Sequence, residues 1–163
     1  MEAERNCTLA QGFETWEKIY AQASFITIGI IGTVGMALVD WRWALAYIIV
    51  YIYGIIGVVM RHLVCPRCPH LHEYHDCLQA PYGLTKWLAR ERKKTPMSTS
   101  EKLLFYTYFT FVPVFPVYWL LKNPFLLVAF LVAVVTWYAG QFFRFCKRCR
   151  VSDCPFNRAK VAR

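Results

Sequence analysis

Four stretches of this 163-residue chain contain no charged side chain, and each is long enough to cross a lipid bilayer as a helix. They cover residues 19–39, 43–60, 103–121 and 123–143. At a rise of about 1.5 Å per residue, such helices match the roughly 30 Å hydrocarbon core. Because the bilayer core has no water to satisfy backbone groups, apolar segments cross it as helices. The sequence therefore predicts an all-α integral membrane protein, a four-transmembrane-helix bundle in contact with lipid.

The composition argues against other classes of protein. With 57% hydrophobic residues, the chain is more apolar than a typical soluble domain, although its net charge is +9. Four buried helices of a soluble bundle would need polar faces, which these stretches lack. The basic residues flank the apolar stretches and form no separate basic module, so we predict no nucleic-acid partner.

The distribution of basic residues predicts the orientation. Lys and Arg number two in residues 1–18, eight in 61–102 and seven in 144–163, against one in each of the two short opposite loops. Cytoplasmic loops carry the excess of Lys and Arg. We therefore expect a multi-pass protein of the plasma (inner) membrane with both termini and the central loop in the cytoplasm.

The two halves of the chain share an order of features that predicts an internal repeat. In each half a Glu-Lys pair precedes a helical hairpin, which is followed by a C-x-x-C motif and then by Asp-Cys. We divide the chain into an N-terminal segment (1–18), repeat 1 (19–77), a basic linker (78–100) and repeat 2 (101–163). A pseudo-two-fold axis along the membrane normal would bring both cysteine segments together on the cytoplasmic side.

Cysteine and histidine are concentrated in residues 61–77 and 144–154. A C-x-x-C turn lets two thiolates reach one ion, and two such turns can form a tetrahedral sulfur site. The predicted metal ligands of this cytoplasmic cap are Cys65, Cys68, Cys77, Cys146, Cys149, Cys154, His70, His72 and His75. Either the four C-x-x-C cysteines share one ion and the two remaining cysteines form a second site with two of the histidines, or each repeat closes its own site.

The predicted cofactor is zinc or an iron-sulfur cluster, with zinc favoured because histidines accompany the cysteines. Basic neighbours such as Arg67, Lys147 and Arg148 can lower thiol pKa values, or can serve membrane topology alone. The sequence contains no common hydrolase or nucleotide-binding motif, and we assign no catalytic residue. We expect a metal-binding subunit or assembly partner of a larger membrane complex, or a homodimer, with electron transfer as its role if the metal is iron. The alternative is a membrane thiol-disulfide oxidoreductase, linked to quinone, that uses a C-x-x-C dithiol.

Two further sets of residues predict surfaces. A basic amphipathic segment of the linker is expected to lie on an anionic membrane leaflet. Its residues are Lys86, Trp87, Arg90, Arg92, Lys93 and Lys94. In the first helix, Gly29, Thr33 and Ala37 recur every four residues, a stripe of small side chains that lets another helix approach closely.

Local signals predict how the third helix begins and bends. Ser98 and Glu101 have the spacing of a capping box immediately before the apolar run, so the helix should begin there. Pro113 and Pro116 each remove a backbone hydrogen bond, so we expect them to kink the helix.

Overall fold

The computed structural model describes residues 12–89, 91–93, 95–149, 154 and 156. Among these residues it is helical and has no strand. Four helical segments are long and apolar enough to cross a membrane, which confirms the predicted membrane class and number of helices. We call them span 1 (Thr15–Ala37), span 2 (Trp41–Arg67), span 3 (Thr99–Leu120) and span 4 (Pro124–Arg148). Spans 1 and 2 form hairpin 1, and spans 3 and 4 form hairpin 2.

Spans 2 and 4 change their helical geometry towards the same end. Span 2 begins as an α-helix, Trp41–Tyr53, becomes a π-helix at Gly54–Leu63 and ends in a 3₁₀ turn, Cys65–Arg67. Span 4 begins as an α-helix and becomes a π-helix immediately before its first cysteine. Its segments are Pro124–Gly140, Gln141–Phe145 and Cys146–Arg148. Both helical segments therefore continue beyond the uncharged stretches of the sequence and carry their first cysteine in helical geometry.

The helix starts follow from side chains that satisfy otherwise unpaired backbone N–H groups. The predicted capping box is confirmed: Ser98 accepts from the backbone of Glu101, whose carboxylate accepts from the Ser98 N–H. Span 1 begins with the same reciprocal arrangement between Glu14 and Glu17. Each span after a short loop is capped too, by Asp40 and Asn123 in spans 2 and 4.

The two prolines interrupt span 3 as predicted. Its first segment, Thr99–Val114, is separated by a turn from a short second segment, Val117–Leu120. Pro113 lies within the first segment and Pro116 lies in the turn. The ring of Pro116 packs near Gly32 of span 1, so the bend brings span 3 against its neighbour.

Span 1 lies between spans 2 and 4 and packs along both. Glycines let neighbouring side chains come close to it: an added Cβ would lie 3.0 Å from the Tyr51 ring at Gly29, 3.1 Å from the Tyr47 ring at Gly32 and 2.2 Å from Leu120 at Gly35. The predicted small-residue stripe shares Gly29 with these positions. Its residues range from contact with a neighbouring span to full exposure: Gly29 faces the ring of Tyr51, Thr33 is half-buried and Ala37 is exposed.

The outer surface of the bundle is apolar. Large hydrophobic side chains stand outward on the spans, and Leu38, Phe125 and Phe143 are 68%, 81% and 68% exposed. Exposed apolar surface of this extent is favourable in lipid and unfavourable in water. We conclude that the bundle contacts the lipid bilayer.

Two tyrosines make equivalent contacts between the hairpins. The hydroxyl of Tyr108 in span 3 donates to the Tyr51 carbonyl of span 2, and its ring packs on Gly54. The hydroxyl of Tyr20 in span 1 donates to the Thr136 carbonyl of span 4, and its ring packs on Gly140. In each case the tyrosine lies in the first span of one hairpin and contacts the second span of the other hairpin. The contact is beside the residue at which that second span becomes a π-helix.

Candidate thiol site

A single cavity collects the cysteines of both halves at one end of the bundle. Its volume is about 140 Å³, and its wall is mainly aromatic and aliphatic. The cysteines on its wall are Cys65, Cys68, Cys77, Cys146, Cys149 and Cys154. Within the described part of the chain, no disulfide bond joins these six cysteines to one another. Two segments distant in sequence therefore meet around one sulfur-lined space.

Cys77 is the thiol whose surroundings favour its charged form most strongly. Its pKa is lowered to about 6, chiefly by a hydrogen bond from the Cys65 thiol; burial opposes this shift. The backbone N–H groups of Gln79 and Ala80 also donate to the sulfur, and the Thr85 hydroxyl shares its proton between the sulfur and the Pro81 carbonyl, 3.1 Å away. A sulfur with four donors is prepared to carry a negative charge, as metal ligation and nucleophilic attack both require.

Cys68 lies in a less polar position. Burial raises its pKa to about 12, although the backbone N–H groups of His70 and Leu71 donate to its sulfur and lower the pKa. The neighbouring sulfurs of Cys149 and Cys77 raise it further, because like charges would repel. The structure therefore brings Cys68 of hairpin 1 close to Cys149 of hairpin 2.

Of the three predicted histidine ligands, the structure brings one to the cavity. His70 is 1% exposed, lines the cavity and packs against the Phe13 ring at 4.9 Å. His72 follows it on a short helix, Pro69–Glu73, and is half-buried away from the cavity wall. His75 is exposed, with its Nδ1 atom 2.7 Å from the Tyr82 hydroxyl.

The side chains that could bind a metal are distributed along the cavity wall and do not meet at one point. Within the described residues, no three side chains of His, Cys, Asp or Glu form a group that could hold one metal ion. A tetrahedral zinc site requires four ligands, with sulfur at about 2.3 Å from the ion. The sulfurs would have to move towards one another to bind a single zinc ion in this way.

Two hydrogen-bond donors on span 4 lie at the cavity without an acceptor among the described residues. They are the indole Nε1 of Trp137 and the amide Nε2 of Gln141, one helical turn apart. The residues are 4% and 7% exposed. A buried N–H group without an acceptor costs about 1–3 kcal/mol, so an occupant with acceptor atoms would stabilise this wall.

The arginines beside the cysteines bind carboxylates. Arg67 donates through Nη2 to both oxygens of Glu101, at 3.0 and 2.9 Å. Glu17, which is 0% exposed, accepts from Arg144 at 2.9 Å and from Arg148 at 2.8 Å. In the sequence, Glu17 is marked only by its place in the repeat and Glu101 also by the capping box, and no local signal points to these ion pairs.

Asp76, which precedes Cys77, ties the first cysteine segment to the start of span 1. Its carboxylate accepts from the Phe13 N–H at 2.8 Å and forms an ion pair with Lys18. Burial raises the pKa of Asp76, but the bonds from Lys18 and Phe13 outweigh it, and the pKa is lowered. In the Asp-Cys pattern of the first half, Asp76 therefore holds the segment to the start of span 1, and Cys77 is the stabilised thiolate beside it.

Two of the predicted membrane-surface residues, Lys86 and Trp87, lie in a short helix, Tyr82–Leu88, which we call the linker helix. Trp87 is 62% exposed, and Lys86 lies over the Tyr82 ring. Arg92 pairs with Glu73, and Lys93 is exposed. Arg90 and Lys94 lie outside the described residues. The opposite side of the linker helix is buried through Thr85 and Leu88, so the helix also closes the thiol site.

Comparisons with protein-family models, curated proteins and solved structures find no match to this chain.

Proposed function

We propose that this membrane protein binds a thiolate-ligated metal centre in the cysteine-lined cavity, as a subunit or assembly partner of a larger membrane complex. The observation that carries the proposal is that six cysteines from two distant segments line one cavity. Soft thiolate ligands select zinc, monovalent copper and iron-sulfur clusters.

Two of the sulfurs have the surroundings that a thiolate ligand needs. Cys77 has four hydrogen-bond donors and Cys68 accepts from two backbone N–H groups. Such donors stabilise negative charge on sulfur before any ligand is bound. Glu17 pairs with both Arg144 and Arg148, so this group keeps one net positive charge, which would offset part of the negative charge of several thiolates in a space of low polarity.

The shape of the cavity favours an iron-sulfur cluster over one zinc ion. The cavity that the six cysteines help to line has a volume of about 140 Å³, which is much larger than a single ion. The N–H groups of Trp137 and Gln141 on its wall need acceptors, and hydrogen bonds to sulfur atoms are one way in which proteins tune the potential of such a cluster. Bound there, a cluster would supply one-electron transfer at the membrane surface.

Reciprocal contacts support the proposal that the two hairpins are repeats related by a pseudo-two-fold axis. Tyr20 and Tyr108 make equivalent contacts between hairpins, Glu17 and Glu101 occupy the same capping position, and both second spans pass into a π-helix before their cysteines. Helical irregularities of this kind are frequent at functional sites. The proposed axis would lie between the two Cys-x-x-Cys turns.

We further propose that the cavity faces the cytoplasm, as the basic loops predict. A variant with Lys122→Cys, in the outer loop between spans 3 and 4, should react with a membrane-impermeant maleimide in intact cells. A variant with Lys86→Cys, in the linker helix, should react only in inverted vesicles. The reverse pattern would overturn the orientation.

Elemental analysis and a visible absorption spectrum of the full-length protein, purified without oxygen, test the metal proposal. Iron with acid-labile sulfide and a brown chromophore is the expected result. Stoichiometric zinc without colour would favour a structural clamp and overturn electron transfer. Thiols that contain neither metal, and that fail to take up either on reconstitution, would overturn the proposal itself.

The contact between Cys65 and Cys77 favours a second candidate function, a thiol-disulfide oxidoreductase. The Cys77 thiolate would attack a substrate disulfide and release one substrate thiolate, which leaves a mixed disulfide. Cys65, after losing its proton, would then attack the Cys77 sulfur and release the second substrate thiolate, so the two electrons of the dithiol pass to the substrate. Mass spectrometry after mild oxidation should then find a Cys65–Cys77 disulfide that a reductant reverses. Rapid alkylation of both thiols without a chelator would favour this candidate, because metal ligands react only after metal loss.

A further inference from the structure

Each Cys-x-x-Cys turn contains an arginine immediately before its second cysteine, and each arginine binds a carboxylate of the other hairpin. Arg67 in hairpin 1 donates to Glu101 in hairpin 2 at 2.9 Å. Arg148 in hairpin 2 donates to Glu17 in hairpin 1 at 2.8 Å. We call these two ion pairs the crossed latches. They connect the ends of the two hairpins in both directions.

We infer that Glu17 and Glu101 are positioning residues, each of which holds the cysteine turn of the opposite hairpin against the thiol cavity. The inference rests on the proposed thiolate site, since it concerns how that site is kept in place. Neither carboxylate lines the cavity, so each acts through its arginine on the cysteine that follows in the chain.

Hydrogen bonds at the start of spans 1 and 3 hold both carboxylates in place. Glu101 Oε2 accepts from the Ser98 N–H at 2.9 Å, and Glu17 Oε2 accepts from the Glu14 N–H at 3.1 Å. Each glutamate is therefore held at the third position of its span by a capping box. A latch thus fixes a cysteine turn relative to the start of a span in the other hairpin.

The arginine side of one latch is anchored equally well. Besides Glu101, Arg67 donates through Nη1 to the carbonyls of His62 and Leu63 at 3.1 and 2.8 Å. These carbonyls lie at the end of the π-helix of span 2. The Arg67 side chain is only 7% exposed, so it is held in one arrangement among helix end, turn and carboxylate.

The second latch contains an additional cation. Glu17 is 0% exposed and accepts from both Arg144 and Arg148, whose side chains are 50% and 34% exposed. Arg144 therefore keeps the carboxylate compensated when Arg148 is removed, whereas Glu101 has the single partner Arg67 among the pairs that the described residues form. This difference supplies a variant that opens one latch without leaving a buried charge unpaired.

Site-resolved alkylation of the full-length protein, reduced and treated with a chelator in detergent, tests the inference. Glu101→Gln is expected to speed alkylation of Cys68, and Glu17→Gln that of Cys149, each about tenfold if the lost charged hydrogen bonds have ordinary strength. In each variant the other turn should keep its wild-type rate and so serves as an internal control. Glu91→Gln, at an exposed position, should change neither rate.

The crossed pattern distinguishes positioning from a general loss of stability. Equal acceleration of both turns, or acceleration of the turn in the same hairpin as the substitution, would overturn the inference. If Glu17→Gln does not fold, Arg148→Gln should give the same selective acceleration of Cys149, and an unchanged rate there would equally overturn it. Glu101→Asp, which keeps the charge, should restore much of the protection of Cys68.

Metal analysis of the wild-type protein separates this inference from the proposed function. A protein with neither zinc nor iron, which takes up neither, would overturn the metal proposal, while the alkylation pattern would still decide the latches. A metal-loaded wild type whose glutamate variants show no crossed pattern would overturn the latches alone.

Discussion

The carboxylate of Glu101 lies 2.9 Å from the guanidinium of Arg67, although 34 residues separate them in the chain. The glutamate opens span 3 and the arginine closes span 2, so one ion pair joins a helix start, a helix end and a cysteine turn. The Glu101 side chain is partly exposed and the Arg67 side chain is buried. Their contact lies at the boundary between the bundle and the cysteine segments.

The charge balance around Glu17 predicts an asymmetric response to substitution. Glu17→Gln leaves a neutral amide in a buried position and two partly solvated arginines. The double substitution Arg144→Gln with Arg148→Gln leaves a buried carboxylate unpaired, which costs about 3 kcal/mol, at the low end for a broken buried pair. Thermal unfolding in detergent should therefore show the double variant to be less stable than Glu17→Gln. Equal stabilities would contradict this account of Glu17 as a buried charge.

The low pKa of Cys77 predicts how the reactivity of the metal-free protein depends on pH. Alkylation of Cys77 by iodoacetamide should follow its thiolate fraction, with a midpoint near pH 6. Thr85→Val removes one donor to the sulfur and should move this midpoint to higher pH. Thr107→Val, in the exposed part of span 3, is the matched control and should leave it unchanged.

The same shift predicts the pH dependence of stability. Cys77 titrates near pH 6 when folded and near its ordinary value of 9.0 when unfolded. Between these values the unfolded chain binds more protons, so the free energy of unfolding should rise with pH. The contribution of Cys77 to this free energy should be lost as the pH falls through 6. Chemical denaturation of reduced, metal-free protein at several pH values measures this slope. Cys77→Ser should flatten it, and a slope that persists in that variant would assign it to other groups.

The close approach of Gly54 to Tyr108 predicts a selective glycine requirement. A Cβ added at Gly54 would lie 2.0 Å from the Tyr108 ring, which the Tyr51 carbonyl holds through its hydroxyl. Gly54→Ala should therefore lower the thermal stability clearly, by about 1–3 kcal/mol as overpacking does. Gly83→Ala meets nothing within 4 Å and lies in the linker helix, so it should be neutral or slightly stabilising. Equal effects of the two substitutions would contradict the packing described.

A hydrogen bond within the membrane predicts different roles for two tyrosines of span 2. The hydroxyl of Tyr51 donates to the Phe25 carbonyl of span 1, whereas Tyr53 is 69% exposed on the lipid-facing surface. Tyr51→Phe should cost about 1 kcal/mol, the usual strength of a hydrogen bond between membrane helices. Tyr53→Phe should leave thermal stability unchanged. A larger loss from Tyr53→Phe would place that residue in an interface between proteins.

Much of the fold was predictable because its determinants are local in the chain. The four spans follow from uncharged apolar runs, the start of span 3 from Ser98 and Glu101, and its break from Pro113 and Pro116. The uncharged stretch that predicts span 2 ends at Met60, immediately before the charged Arg61. An arginine at a membrane boundary can remain helical while its long side chain reaches the interface, and the helical segment continues to Arg67.

The arrangement of the thiol site depends on contacts that the sequence does not contain locally. The cysteines themselves determined that any site would be sulfur-rich, but the lowered pKa of Cys77 depends on Cys65 and Thr85, which arrive from different elements. Burial of His70 and exposure of His75 likewise depend on how the segment packs. Sequence determined the spans because hydropathy and caps act over a few residues; tertiary structure alone decided which donors, carboxylates and thiols meet, because electrostatics and burial depend on distance in space.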